Sequence, residues 1–184
     1  MLTRLFVTGT DTNIGKTVVT RALVQIFNDE GTTTVGYKPI IKEDIAEEED
    51  QVDFLQMTSC LNKLSNEVDL VIVDGNGGWR SLLQDNTFYS DWVVKEKLPV
   101  ILVVGIQSGC VNHAILTAQA IVRDGLPLIG WVANRINPGL AHYAQVLEQL
   151  RCHIPAPQLG EIPYLLRPEE RDLSHYLDIS MIDS

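Results

Sequence analysis

Short, unbroken apolar runs alternate along the chain with longer stretches in which apolar residues recur three and four apart. Residues 4–8 form the first short run and read as a strand. Residues 16–27 follow, with Val19, Ala22, Leu23 and Ile26 on one face, which predicts an amphipathic helix. Gly31 punctuates, and residues 33–38 are β-branched and aromatic, as a second strand should be. Residues 68–73, 100–105 and 129–133 are apolar and β-branched, the pattern of strands buried on both faces. Helical spacing marks residues 90–97, 111–123 and 140–150, the last with Leu140, Tyr143, Ala144, Leu147 and Leu150 on one face. Gln158–Ile162 reads as a final strand ahead of a short helical tail. Strands alternating with helices predict an α/β fold, a doubly wound, mostly parallel sheet flanked by helices. No repeat, low-complexity tract or linker divides residues 1–184, so a single domain is expected. In such a sheet ligands bind beyond the carboxyl ends of the strands, so the chemistry is sought just after each run.

After the first run comes Gly9-Thr10-Asp11-Thr12-Asn13-Ile14-Gly15-Lys16-Thr17, then a helix. This fits the phosphate-binding pattern G-x-x-x-x-G-K-[ST], except that Thr10 holds the first glycine position and Gly9 stands one place earlier. Backbone N–H groups of such a loop and the start of its helix point at phosphates, where the helix dipole favours negative charge. Lys16 would reach the β- and γ-phosphates, and the Thr17 hydroxyl would ligate Mg²⁺. A metal-holding carboxylate is then required at the end of a second strand. Asp74, after Val71-Ile72-Val73, is the candidate, and Gly75, Gly77 and Gly78 would let the backbone pass close to the phosphates.

Composition narrows the partners. A net charge of −10 argues against nucleic acid, whose phosphates attract basic faces. The acidic run at residues 43–50 reads as a solvated loop or helix start, with Asp50 set aside. No apolar run approaches the roughly 20 residues that span a bilayer, and no basic segment precedes an apolar one at the N-terminus. Cys60, Cys110 and Cys152 are odd in number and widely spaced, which suits reduced thiols, and no ligand pair shows zinc spacing. A cytoplasmic location is expected.

Several blocks besides the loop resemble dethiobiotin synthetase. They are F-V-T-G-T-D-T-N-I-G-K-T at 6–17, G-Y-K-P at 36–39, D-G-N-G-G-W at 74–79 and L-P-V-I-L-V-V-G at 98–105. G-C-V-N-H at 109–113, G-W-V-A-N at 130–134 and P-A-P-Q-L-G-E-I-P at 155–163 continue the family's order over nearly the whole chain. The resemblance implies a P-loop NTPase of SIMIBI-like architecture and a cyclo-ligase of biotin biosynthesis. The family closes the ureido ring of dethiobiotin from 7,8-diaminopelargonic acid, CO₂ and MgATP. By resemblance Lys16, Lys38 and Thr12 are catalytic: Lys16 neutralises the γ-phosphate, Lys38 faces the carbamate, and Thr12 bonds the substrate end. The implied ATP contacts are Asn13, Ile14, Gly15, Lys16, Thr17, Val18, Asp50, Asp74, Gly75, Asn76, Gly77, Asn134, Arg135, Pro163, Tyr164 and Leu165. Asn134 would read the adenine edge, and Pro163, Tyr164 and Leu165 would wall it. Thr17, Asp74 and Asp50 would hold Mg²⁺, with Asp53 the alternative to Asp50. Gly109, Cys110, Val111 and Asn112 open a helix that, in the family, receives the substrate carboxylate across a homodimer interface.

Three departures from the family bear on the substrate side. Asp74 stands where the family usually has glutamate, Lys42 where a small hydroxyl residue is expected, and a block of a few dozen residues is missing around residues 60–63. Nucleotide recognition is expected intact and the diamine pocket weakened. The alternative is a catalytically impaired nucleotide-binding homologue, or a regulatory ATP-binding dimer of the partition-ATPase type. Those ATPases usually carry an extra lysine early in the loop, where this chain has Thr10-Asp11-Thr12.

Overall fold

The computed structural model describes residues 1–40, 52–83 and 86–182 of the 184-residue chain. In chain order it contains β1 (Arg4–Gly9), α1 (Lys16–Asp29), β2 (Thr34–Tyr37), α2 (Phe54–Glu67), β3 (Leu70–Gly78) and α3 (Tyr89–Lys95). Then come β4 (Val100–Ile106), α4 (Cys110–Arg123), β5 (Leu128–Arg135), α5 (Tyr143–His153) and β6 (Gln158–Ile162). The six strands make one sheet in the order β2-β3-β1-β4-β5-β6, and every pairing between them is parallel. All carboxyl ends therefore lie along one edge.

Alternation along the strands divides the core between two faces. Leu5, Val7, Leu70, Ile72, Ile101, Val103 and Val132 meet the Val19–Leu23–Ile26 stripe of α1 and, from the C-terminal tail, Leu173, Leu177 and Ile179. Phe6, Val71 and Val73 face Met57 and Leu61 of α2, Tyr89 and Trp92 of α3, and Ile121 of α4. Leu102, Val104, Trp131 and Ala133 face α4 and α5. No helix among the described residues is long and apolar enough to cross a membrane.

The structure departs from the pattern-based expectations in four places. First, β3 does not end before Asp74. It continues through Gly78, with Asp74 beside Val7 and Gly78 beside Gly9. The glycines permit this, since a Cβ at Gly75 would lie 2.6 Å from the Val7 carbonyl oxygen. Second, α2 begins at Phe54, where the Asp53 carboxylate accepts from the Leu55 N–H at 2.9 Å. It runs without a break through residues 60–63, the expected site of the missing block. Third, α5 starts at Tyr143 and not at Leu140. The Asn137 side chain and carbonyl bind the N–H groups of Gly139 and Leu140, closing a turn around Pro138 that a helix cannot enter. Fourth, the tail forms three 3-10 turns, at Pro168–Glu170, Ser174–Tyr176 and Ile179–Met181. Asp172 and Asp178 open two of them by accepting from the N–H two residues on.

Candidate active site

The loop between β1 and α1 is curled by two left-handed residues, Asn13 at φ 54° and Gly15 at φ 93°. Gly15 is required twice over: its φ favours glycine, and a Cβ there would meet the Asn134 side-chain nitrogen at 2.3 Å. Gly15 is also the N-cap of α1 and offers no capping side chain, so the first amides of α1 have no side-chain acceptor from that residue. Lys16 is buried, and its Nζ donates to the Asp11 carbonyl at 2.8 Å. The Asp11 carboxylate accepts from the Thr12 N–H at 2.7 Å and fixes the exposed tip.

Asp74 faces this loop from β3. The Thr17 hydroxyl donates to its Oδ2 at 2.8 Å, while its Oδ1 is buried with no hydrogen bond among the described residues. Burial raises the Asp74 carboxyl above its ordinary value, and the Thr17 hydroxyl and then the charges of Lys38 and Lys16 oppose that shift. The buried Thr20 hydroxyl also favours the ionised form, although its geometry falls short of a hydrogen bond. An orphaned carboxylate oxygen with hydroxyl oxygens beside it is a hard-oxygen donor set, and these residues fit a Mg²⁺ ion. Lys38 sits directly beyond β2, half-buried and within electrostatic range of Asp74. Gly77 and Gly78 run beside the loop: a Cβ at Gly77 would meet Ser81 first and lie 3.9 Å from the Thr12 methyl, and one at Gly78 would lie 3.9 Å from the Gly9 and Thr10 carbonyls. Asn76, between Gly75 and Gly77, is buried. Lys16, Thr17, Asp74 and Lys38 are thus gathered from three elements at one sheet edge.

Of the second metal carboxylates named from the sequence, Asp50 lies outside the described residues, as does Lys42. Asp53 is occupied as the α2 cap.

At the other side of the loop, β5 ends in Asn134 and Arg135, which diverge because neighbouring strand residues face opposite ways. Asn134 Nδ2 donates to the Ile14 carbonyl at 2.7 Å. One of its two amide N–H groups is thereby committed, leaving the other N–H and the Oδ1 acceptor. The Arg135 guanidinium instead stacks 4.0 Å from the Tyr143 ring centroid and donates to the Pro138 carbonyl at 3.2 Å. Tyr143 in turn donates to Glu161 of β6 at 2.7 Å. Pro163, Tyr164 and Leu165 follow β6 directly, with Tyr164 exposed. A cavity of about 370 Å³ lies beside Val18, between α1 and the tail, lined also by Arg21, Gln25, Arg171 and Asp172. Nothing in the sequence pattern pointed to that cavity, since it joins residues some 150 positions apart. Gly109, at φ 81°, caps α4 at the end of the next connection, with Cys110 buried, Val111 half-buried and Asn112 exposed. Burial pushes the Cys110 thiol up, so it stays protonated and packs as an apolar side chain.

Known proteins share both sequence and fold with this chain. The family model described as an AAA domain matches residues 3–59 and 32–170. An ATP-dependent dethiobiotin synthetase of Yersinia pestis is 50% identical over 220 aligned positions, covering 99% of each chain. One of Escherichia coli K12 is 47% identical over 222 positions, covering 100% of this chain and 96% of the relative. An alignment of 220 positions against 184 residues leaves at least 36 positions of the alignment with no residue of this chain. The MinD cell division protein of Aquifex aeolicus superposes with a TM-score of 0.63 at 13% identity, covering 96% of this chain and 88% of that one. At that identity the likeness concerns the fold alone, a parallel sheet of the P-loop NTPase type.

Proposed function

The chain belongs to the ATP-dependent dethiobiotin synthetase family, and from that membership we propose that it closes the ureido ring of dethiobiotin from 7,8-diaminopelargonic acid, CO₂ and MgATP. The strongest support is 50% identity to such a synthetase over 99% of both chains. The gathering of Lys16, Thr17, Lys38 and Asp74 at one sheet edge supplies the chemistry that reading needs.

The reaction needs positioning and charge stabilisation around crowded anionic oxygens. One amine adds to CO₂ and loses a proton, giving a carbamate. A carbamate oxygen attacks the γ-phosphorus and ADP leaves. The second amine then attacks the carbonyl carbon of the mixed anhydride and expels phosphate, which closes the ring. In this reading the N–H groups of Asn13, Ile14, Gly15, Lys16, Thr17 and Val18 cradle the triphosphate, and Lys16 leaves the Asp11 carbonyl for the γ-phosphate. Asp74 and Thr17 hold Mg²⁺, with Asp50 as the second carboxylate; the ion would neutralise charge on the phosphate oxygens. Gly75, Asn76 and Gly77 lie along the same phosphates. Lys38 faces the carbamate and the transferred group, and Thr12 bonds the substrate. Asn134 offers Oδ1 to the base, an acceptor that suits the amino group of adenine, with Pro163, Tyr164 and Leu165 as the wall. Arg135 braces that end through Tyr143. A homodimer lets Gly109, Cys110, Val111 and Asn112 of one subunit receive the substrate carboxylate of the other, in the cytoplasm. The 36 or more alignment positions without a residue here raise one second reading, a homologue that binds ATP but has lost ring closure, which the identity over the whole chain does not favour.

Mixing the protein with MgATP, bicarbonate and diaminopelargonic acid, and following dethiobiotin by mass spectrometry, separates the two. Product is expected. Tight ATP binding without product selects the second reading. Lys38→Ala should lower kcat by about 100-fold or more while ATP affinity stays within a few fold; unchanged turnover would remove Lys38 from its role.

A further inference from the structure

Residues 74–78, Asp-Gly-Asn-Gly-Gly, carry more glycine than any other stretch of the sheet. Glycine frees the backbone, and two of these positions require it. A Cβ at Gly75 would lie 2.6 Å from the Val7 carbonyl, and Gly77 holds φ +67°. Side chains therefore cannot stiffen the glycine positions, which are held by the ladder to β1 and by the residues on either flank. On one flank Asp74 is bonded to Thr17.

On the other flank, the first two residues after the run converge on a single carboxylate, Asp124, at the C-terminal end of α4. Trp79 Nε1 donates to Asp124 Oδ2 at 2.8 Å. Arg80 donates to both oxygens, Nη1 to Oδ2 at 2.5 Å and Nη2 to Oδ1 at 2.8 Å. A forked guanidinium–carboxylate pair constrains direction as well as distance. Trp79 is buried, edge-on to Phe6 with centroids 6.1 Å apart. Arg80 Nη1 also donates to Ser90 Oγ at 2.8 Å, and its guanidinium lies 5.8 Å from the Phe88 ring centroid. The Arg80 side chain holds the Asp124 carboxyl below its ordinary value, so the pair is charged at neutral pH.

We propose that Asp124 is a positioning residue for the ATP-dependent reaction: through Trp79 and Arg80 it fixes residues 74–78 against Thr12 of the phosphate loop and keeps the Asp74 carboxylate beside Thr17. The proposal rests on the reading of Asp74 as the metal-holding carboxylate. The role belongs to α4 as much as to β3, since Asp124 is the C-cap of α4.

Two measurements on the full chain test it. Asp124→Asn keeps an acceptor for Trp79 and breaks the charged fork. In the nucleotide-free protein, the amides of Gly75, Gly77 and Gly78 should exchange hydrogen about tenfold faster in this variant, with β4 unchanged. By titration calorimetry, ATP affinity should fall about tenfold with Mg²⁺ present and stay within twofold in EDTA. In an Asp74→Asn background the same substitution should add nothing, because it acts through that carboxylate. Unchanged exchange in a folded variant overturns the proposal. So does an equal loss of affinity with and without Mg²⁺, which marks general structural damage. Should Asp124→Asn fail to fold, Arg80→Gln leaves the Trp79 bond in place and carries the same test. If the parent protein binds ATP no tighter with Mg²⁺ than without, the Asp74 reading falls and takes the proposal with it. If the parent shows that dependence and the variants keep it, only the Asp124 role is lost.

Discussion

Asp74 holds a carboxylate in a place that disfavours charge. In the unfolded chain it ionises near the ordinary value of 3.8; in the folded chain burial raises that value. Above the folded value the native state carries a buried charge that costs it stability. Below 3.8 both states are protonated and the cost vanishes. Asp74→Asn should therefore raise the Tm of the nucleotide-free protein at pH 7, with the gain shrinking as pH falls toward 4. The same variant should lose the Mg²⁺ dependence of ATP binding. A lower Tm at pH 7 would mean that the Thr17 bond outweighs burial. The gathering of Lys16, Thr17 and Asp74 was legible in the sequence, since it follows from loop pattern and strand order. Direction was not. Asn134 and Arg135 are neighbours, yet one serves the loop and the other stacks on Tyr143, because the pleat sends them to opposite faces.

At the scale of elements, α2 shows what local signals can and cannot carry. The acidic run was legible as a loop or helix start, but where the helix begins was not, because several carboxylates there compete to cap it. The structure selects Asp53. Replacing it with alanine should cost about 1 kcal/mol, seen as a Tm lower by about 2–4 °C in a chain this size. Mg²⁺-dependent ATP affinity should not move; if it did, Asp53 would be a ligand as well as a cap. The same logic applies to β3. The apolar run stops at residue 73, and the strand was expected to stop with it. Here the neighbouring strand approaches so closely that only glycine can continue the ladder.

At the scale of the whole molecule, the tail closes the fold. Leu173, Leu177 and Ile179 are buried against the α1 face, and the Asp178 N–H donates to the Leu159 carbonyl at 2.7 Å, covering the edge of β6. Gly160 permits this contact, since a Cβ there would lie 2.0 Å from the Tyr176 carbonyl. Each buried Leu or Ile contributes about 1.5–3 kcal/mol, so removing three removes a large share of the 5–15 kcal/mol typical of a domain. Truncation after Arg171 should give a protein that is unfolded or aggregated by circular dichroism and size-exclusion chromatography. Gly160→Ala should lower Tm while leaving a folded chain. A truncated protein with parental Tm would show that the tail is dispensable.

Alternation, loop pattern and block order determined the parallel sheet, the phosphate loop and the family, because each is written in residues close together in the chain. The tertiary structure alone decided which side chains meet across distance. Asn134 on the Ile14 carbonyl, Asp124 holding Trp79 and Arg80, and the tail laid over β6 all join residues that local periodicity cannot relate. Their partners are chosen by packing and by the demand of buried polar groups for a mate, which acts only once the chain has folded.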